Sequence, residues 1–255
     1  MDGRVALVVG GASGIGRGIA SRVIAGGGKV VIADRSADGA DAVAAELGDR
    51  ARAVVGDVTS STDVERFVGT AVDEFGSLDI SVNSAGVGTL GMIHDHPESE
   101  WDRVVDICLK GTFLTTKHAS ARMIEQGTGG VILNVASING RQPAEGFVAY
   151  CSAKAGVEML TRVAAMELGR HRIRVVGVAP GFVDTPLTAA GGDGAKQVYV
   201  EKTPLGRTGE VDDIAAAAEF LIGDGASWIS GETLVVDGAA TTREYPAIAQ
   251  MLGLT

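Results

Sequence analysis

The sequence predicts an α/β architecture in which a seven-stranded parallel sheet is doubly wound, with helices on both faces. Three observations lead there. Short apolar runs rich in Val and Ile alternate with longer helical stretches along the chain. Most of these runs lack the period-two pattern of a half-exposed strand, as expected when both faces are covered. Strand–helix alternation then implies parallel pairing through right-handed crossovers.

Each element follows in order. Arg4–Val9 reads as a strand and Gly14–Ala25 as a helix; Lys29–Ala33 as a strand and Ala37–Leu47 as a helix. Ala51–Val55 is the third strand, Thr62–Phe75 a helix and Leu78–Val82 the fourth strand. A long helix over Glu98–Gln126 precedes a strand at Gly130–Val135 and a helix at Val148–Gly169. Ile173–Val178 is a strand, Val211–Ile222 a helix and Thr233–Val236 the last strand. No linker or internal repeat divides the chain, so residues 1–255 are expected to form one domain. The long stretch Pro180–Pro204 carries Gly191, Gly192 and Gly194 and shows no apolar periodicity. Irregular segments of that length in a compact unit are usually functional or mobile, and a substrate lid is expected around residues 182–204.

Composition narrows the function. Hydrophobic residues make up 45% and charged residues 21% of the chain, ordinary for a globular protein. Glycine, at 37 of 255 residues, is in excess without any low-complexity tract, which suits tight turns and close backbone approach. A net charge of −10 speaks against nucleic acid as a partner. No apolar run is long enough to suggest a membrane span. Met1-Asp2-Gly3-Arg4 leads directly into the first strand without a signal-peptide layout. The two cysteines, Cys108 and Cys151, suit reduced thiols better than a disulfide framework. A cytoplasmic location is expected.

Between the first strand and first helix lies Gly10-Gly11-Ala12-Ser13-Gly14-Ile15-Gly16. A backbone that must approach a pyrophosphate needs residues without Cβ, and the helix N-terminus offers N–H groups and a positive dipole end. The spacing is G-x-x-x-G-x-G rather than G-x-G-x-x-G, and a glycine-rich turn can also do no more than link a strand to a helix. Asp34 ends the second strand, eighteen residues after Gly16. An acidic residue there can accept hydrogen bonds from a ribose 2′-hydroxyl and would repel a 2′-phosphate. It could equally cap the following helix, as could Ser36, and the neighbouring Arg35 could attract a 2′-phosphate.

Tyr150 and Lys154 are four residues apart on a predicted helix and share a face. Ser137 follows the fifth strand, thirteen residues before Tyr150. A free phenol, with a pKa of about 10, is a poor base at neutral pH, and a nearby ammonium would lower that value. A serine hydroxyl can hold the substrate oxygen. The three together can pass a proton to or from a carbinol during hydride transfer with a nicotinamide. Taken alone, Y-x-x-x-K describes a solvated helix face as well.

In combination, these segments resemble the short-chain dehydrogenase/reductase family over Arg4 to about Gly238. The matching segments are Gly10–Gly16, Asp57-Val58, Asn83-Ser84-Ala85-Gly86, Ser137, Tyr150-Cys151-Ser152-Ala153-Lys154 and Pro180-Gly181-Phe182-Val183-Asp184-Thr185. The resemblance implies a Rossmann-type fold that binds NAD(H) or NADP(H) through Gly10, Ser13, Gly14, Ile15, Gly16, Asp34, Arg35, Asp57, Val58, Asn83, Ala85, Gly86, Tyr150, Lys154, Pro180, Gly181, Val183 and Thr185. Within that set it implies adenine contact by Asp57, support of the central strand by Asn83, and capture of the nicotinamide carboxamide by Val183 and Thr185. It makes Tyr150 the acid/base, Lys154 the ribose ligand and Ser137 the residue that orients substrate. Ser13 stands where NADP-preferring members often carry a basic residue. With Asp34, it points to NAD(H) as the cofactor, with NADP(H) second.

Three positions depart from the family pattern. Val9 replaces the usual Thr, Ser84 replaces the second Asn of the Asn-Asn-Ala-Gly segment, and Cys108 stands where the family has Asn. That Asn is thought to place a water in the proton relay from the lysine. A thiol is a weak donor and acceptor, so the relay is expected to persist through backbone carbonyls and water with a modest loss of rate. Cys108 can also be read as a small buried residue filling a helix contact.

The substrate of an open α/β sheet lies beyond the C-terminal strand ends. Candidate pocket residues are therefore Val87 to Leu90, Ile138 to Gln142, Phe147, Phe182 and Leu187 to Val200. The set is mostly apolar, with Arg141 able to reach in or to face solvent. An uncharged secondary alcohol or ketone is expected. His94 and His96 form H-x-H near the rim with Asp95 and Glu98 available beside them, but a loop of exposed polar residues explains them as well, and no metal is expected. The helices carrying Asp102–Met123 and Val148–Leu168 have wide small or apolar faces. By resemblance they pair across a two-fold axis, and Ser230–Gly238 resembles a second interface strand. A homotetramer is thus implied. Two other functions stand beside the NAD(H)-dependent oxidoreductase: an NADP(H)-dependent carbonyl or 3-oxoacyl reductase, and a dinucleotide-binding sensor with little catalysis.

Overall fold

Seven apolar segments pair in parallel in the order β3-β2-β1-β4-β5-β6-β7. They are β1 (Val5–Val9), β2 (Lys29–Asp34), β3 (Ala51–Val55), β4 (Ile80–Asn83), β5 (Gly130–Val135), β6 (Ile173–Pro180) and β7 (Thr233–Val236). The helices are α1 (Gly14–Ala25), α2 (Ala37–Leu47), α3 (Ser61–Phe75), α4 (Glu98–Val105), α5 (Gly111–Gln126), α6 (Val148–Leu168), α7 (Pro186–Ala189), α8 (Gly192–Lys202) and α9 (Val211–Ile222). The structure, a computed structural model, describes residues 1–189, 192–244, 250 and 253. The doubly wound parallel sheet is the one the sequence predicts.

Strand β1 shows why these segments lack alternation. Ala6 and Val8 pack with Ile19, Val23, Ile214 and Leu221 on one face. Val5, Leu7 and Val9 pack with Phe67, Ala119 and Met123 on the other. Each fully buried Leu or Ile on either face is stabilised by about 1.5–3 kcal/mol of transfer free energy. Because the sheet needs apolar side chains on both faces, Val and Ile occupy consecutive positions. Helix starts are marked by side-chain caps: Ser36 accepts from the Gly39 N–H and Ser60 from the Asp63 N–H. Gly76 and Gly127 end α3 and α5 in the left-handed conformation, at φ 89° and 70°.

Several boundaries differ from the sequence reading for identifiable reasons. The fourth strand starts at Ile80, not Leu78, because the Gln126 side chain takes both backbone groups of Leu78, at 2.8 and 3.1 Å. The sixth strand runs on to Pro180, which pairs with Val236 at the sheet edge. The helix expected over Glu98–Gln126 is interrupted by a π-helical turn at Asp106–Lys110. The π-helix is rare and appears mostly as a single turn within an α-helix, so the sequence reading ran one helix through it. The stretch Pro180–Pro204, read as irregular, holds α7 and α8. Helix α8 is weakly amphipathic and glycine-containing, which hid it. Residues 190 and 191 of the expected lid lie outside the described residues.

Candidate active site

The C-terminal ends of β1 and β4 diverge to opposite neighbours, and the cleft opens there. Gly10 leaves β1 at φ 78°, and a Cβ on it would stand 2.5 Å from the Ala85 nitrogen. Gly16, in the first turn of α1, lies so close to the turn that a Cβ would be 2.1 Å from the Gly10 carbonyl oxygen. The Gly10 and Gly11 N–H groups donate to the Ala33 carbonyl at 2.8 and 3.3 Å. Ser13 occupies the N-cap of α1 with no side-chain cap bond, and no acidic residue sits in the first turn. The helix start is thus free to present N–H groups and its positive dipole end to an anion. This close-approach cradle fits the diphosphate of a dinucleotide.

Asp34 projects from the end of β2 toward this turn. Its two carboxylate oxygens accept from the Ala12 N–H at 3.1 Å and the Ser36 N–H at 3.0 Å. Ser36, not Asp34, caps α2. The carboxylate retains lone pairs for a further donor.

A cavity of about 320 Å³ runs from the glycine turn to α6. It is lined by Gly10, Ser13, Gly14, Ile15, Asp34, Arg35, Asp57, Val58, Ala85, Gly86, Pro180, Gly181, Val183 and Thr185, together with Ser137, Tyr150 and Lys154. Two residues expected to touch the cofactor do not line it. Gly16 sits behind the turn and acts by making room for it. Asn83 lies beneath the floor, where its amide donates to Asn134 Oδ1 at 2.6 Å and to Thr116 Oγ1 at 3.3 Å. Its polar side chain ties β4 to β5 and α5. Asp57 uses one carboxylate oxygen to hold the Thr59 N–H and hydroxyl, both at 2.8 Å.

Ser137, Tyr150 and Lys154 converge from β5 and α6. Ser137 and Lys154 are buried, and Tyr150 hydrogen-bonds Ser137. Lys154 Nζ donates to the Val135 carbonyl at 2.7 Å and lies 5.6 Å from the centroid of the Tyr150 ring. Burial pushes the Tyr150 phenol above its ordinary range, the Cys108 sulfur adds to this, and the Ser137 hydrogen bond opposes it. The polypeptide alone therefore moves the phenol opposite to the direction argued from the ammonium, with desolvation the largest cause. Burial also lowers the Lys154 ammonium.

Cys108 lies fully buried in the π-turn. Its thiol donates to the Val87 carbonyl and its sulfur accepts from the Val87 N–H, both at 3.4 Å. A Cβ on Gly86 would stand 3.8 Å from both Cys108 Sγ and Lys154 Nζ. The sulfur thus borders the lysine end of the cleft and pins the loop after β4. Arg103 holds the same loop by donating to the Gly88 carbonyl at 3.2 Å.

Opposite α6, α8 leans on the loop after β6. Phe182 and Tyr199 stack with centroids 4.3 Å apart, and Lys196 Nζ meets Asp184 Oδ2 at 2.6 Å. Arg141 turns away from the cleft, bonded to Glu158. Among the described residues no three His, Cys, Asp or Glu side chains form a metal-binding group, and no helix is long and apolar enough to cross a membrane. Sequence reasoning missed Gly56 and Ile107 as lining residues, whereas Thr188 falls within the expected pocket range Leu187 to Val200. Thr188 accepts from the Thr185 N–H at 3.0 Å and donates to the Val183 carbonyl at 2.7 Å.

A family model described as enoyl-(acyl carrier protein) reductase matches residues 10–241. D-threitol dehydrogenase of Mycolicibacterium smegmatis is 41% identical over 247 residues, covering 95% of this chain and 95% of that protein. Cis-4-hydroxycyclohexanecarboxylate dehydrogenase of Sinomonas cyclohexanicum is 41% identical over 242 residues, covering 93% of this chain and 96% of that protein. The solved structure of a short-chain type dehydrogenase/reductase from Mycobacterium ulcerans aligns with a TM-score of 0.94 at 34% identity, covering 100% of this chain and 96% of that one. With these likenesses spanning nearly its whole length, the chain belongs to the short-chain dehydrogenase/reductase family of oxidoreductases.

Proposed function

We propose that this protein is an NAD(H)-dependent oxidoreductase that interconverts an uncharged secondary alcohol and its ketone. The observation that carries the reading is the convergence of buried Ser137 and Lys154 with the partly buried Tyr150 on one cleft with the glycine cradle. When bound, the nicotinamide supplies the hydride acceptor or donor. Gly10, Ser13, Gly14 and Ile15 hold the diphosphate, and Asp34 accepts from the adenosine ribose. Val183 and Thr185 hold the carboxamide, and Asp57 flanks the adenine.

Ser137 donates to the substrate oxygen and orients it against the Tyr150 phenol. In alcohol oxidation Tyr150 takes the carbinol proton; in ketone reduction it returns it. Lys154 binds the nicotinamide ribose, and its ammonium favours the phenolate. That attraction must offset the burial that raises the phenol. Cys108 leaves the lysine's proton path to backbone carbonyls and solvent. Among the described residues, Arg35 and Lys154 are the cationic side chains that line the cavity, and both belong to the coenzyme side. A polyol or cyclic alcohol is the class favoured, as the names of the relatives also suggest. Helices α7 and α8 form the lid, and residues 1–255 act as a single domain.

Arg35 beside Asp34 is the observation that favours a second reading, an NADP(H)-dependent carbonyl reductase. Fluorescence titration with NADH and NADPH separates the two. Turnover is then measured over D-threitol, other polyols and cyclic secondary alcohols. We expect NADH to bind more tightly and Tyr150→Phe to lower kcat by roughly 10²–10⁴-fold while NADH binding holds. Retained turnover in Tyr150→Phe would remove the acid/base assignment. Tight NADH binding with no turnover on any alcohol would favour the sensor.

The apolar faces of α5 and α6 remain open, with Met166 77% exposed, as does Trp228 near β7 at 98%. They support a homotetramer, and a monomer in light scattering at micromolar concentration would contradict it. The two free thiols suit a reducing cytoplasm.

A further inference from the structure

Beyond the cleft, one buried charge has no role in the reading above. Glu158 is 6% exposed, on the stripe of α6 that carries Tyr150 and Lys154 at four-residue spacing. Both of its oxygens accept from Arg141 Nε, at 2.9 and 2.8 Å. Arg141 also donates through Nη2 to the Thr233 carbonyl at 2.9 Å. Arg141 belongs to the short loop that begins with Ser137. That loop is seated directly on α6: a Cβ on Gly140 would stand 2.9 Å from the Lys154 carbonyl oxygen. The loop therefore rests on the helix at Lys154 and is locked to it one turn further on.

We infer that the Arg141–Glu158 pair is a positioning device for the reaction, holding the Ser137 hydroxyl in register with the Tyr150 phenol. The inference rests on the acid/base reading of Tyr150. Neither residue lines the cleft, so both act through Ser137. Seating by Gly140 is a contact without direction, and it limits approach but not sliding along the helix. The guanidinium supplies direction, because its bonds to Glu158 and Thr233 tie the loop to α6 and β7 at once. With the pair removed, the loop can shift along α6 and the Ser137 hydroxyl loses its line to the phenol. Misplacement of reacting groups by about an ångström is enough to lower turnover strongly.

A buried carboxylate left unpaired threatens folding, so the test removes both charges together, as Arg141→Met with Glu158→Met. Arg141→Lys and Tyr150→Phe are measured beside it, with the best secondary alcohol of the panel above. For the double variant we expect kcat to fall roughly tenfold or more. The KM for NAD should stay within roughly twofold, since the coenzyme wall is untouched. The rising limb of the kcat–pH profile should move to higher pH, because the Ser137 hydrogen bond that favours the phenolate is weakened. Arg141→Lys, which keeps the charge but not the fork, should recover only part of the loss. Unchanged kcat with an unmoved pH limb would overturn the inference. So would a loss of activity that tracks the thermal midpoint while the pH profile stays put. If Tyr150→Phe remains active, the acid/base reading itself fails. If Tyr150→Phe is inactive and the paired variant is normal, only the positioning role is lost.

Discussion

The two walls of the cleft are built by different means. The coenzyme wall is backbone against backbone: the turn at Gly10–Gly16 leaves no space for a Cβ at either of those glycines, and strands β1 to β3 hold it. The substrate wall is held by side chains. Lys196 pairs with Asp184, Tyr199 stacks on Phe182, and Cys108 and Arg103 grip the Val87–Gly88 loop. The difference teaches how one scaffold serves many substrates. A backbone wall tolerates no substitution and suits an unvarying ligand, whereas side-chain latches can be exchanged one by one.

Substitutions on the two walls should therefore differ in size. The largest effect is expected from Gly16→Ala, which drives a methyl group into the Gly10 carbonyl. Overpacking costs about 1–3 kcal/mol, and the shifted turn should abolish detectable NADH binding in a fluorescence titration. A normal titration would show that the wall yields. Next comes Asp34→Ala, which should narrow the ratio of NADPH to NADH dissociation constants by roughly tenfold, the worth of a charge-assisted hydrogen bond. An unchanged ratio would remove Asp34 from the ribose.

On the substrate wall, Lys196→Met should raise KM for the alcohol by no more than roughly fivefold, since exposed ion pairs are worth about 1 kcal/mol or less. Lys196 holds the Asp184 carboxyl below the usual carboxylate range. The latch is thus intact above the unfolded carboxylate pKa of about 3.9 and weakens as pH falls below it. Acid titration of lid mobility by hydrogen exchange would check the direction. The smallest change is expected from Cys108→Asn, with kcat altered by less than roughly fivefold because the lysine already has a backbone partner. A large gain would mean that the natural proton path is impaired.

What was legible in the chain follows the same division. Apolar runs for two-faced strands, the possible cap at Ser36 and the glycine turn are local signals, and they placed the sheet and the turn between β1 and α1. Tyr150 and Lys154 were legible because helical spacing alone puts them on one face. Asn83, expected to support the central strand, ties β4 to β5 and α5 through bonds to Asn134 and Thr116, partners far away in sequence. Ile107 left almost no trace, because it reaches the cleft through the geometry of the π-turn. Arg141 had two open directions until Glu158, distant in sequence, was found to hold it.

The sequence by itself determined the order of strands and helices, the glycine cradle and the residue types available for proton transfer. These depend on interactions within a few residues: periodicity, capping and steric freedom of the backbone. Tertiary structure alone decided that burial raises the Tyr150 phenol, that Asp34 faces the turn rather than capping α2, and that Arg141 closes on Glu158. Desolvation and long-range pairing arise only when segments far apart in the chain exclude water from one another, and local sequence does not encode that exclusion.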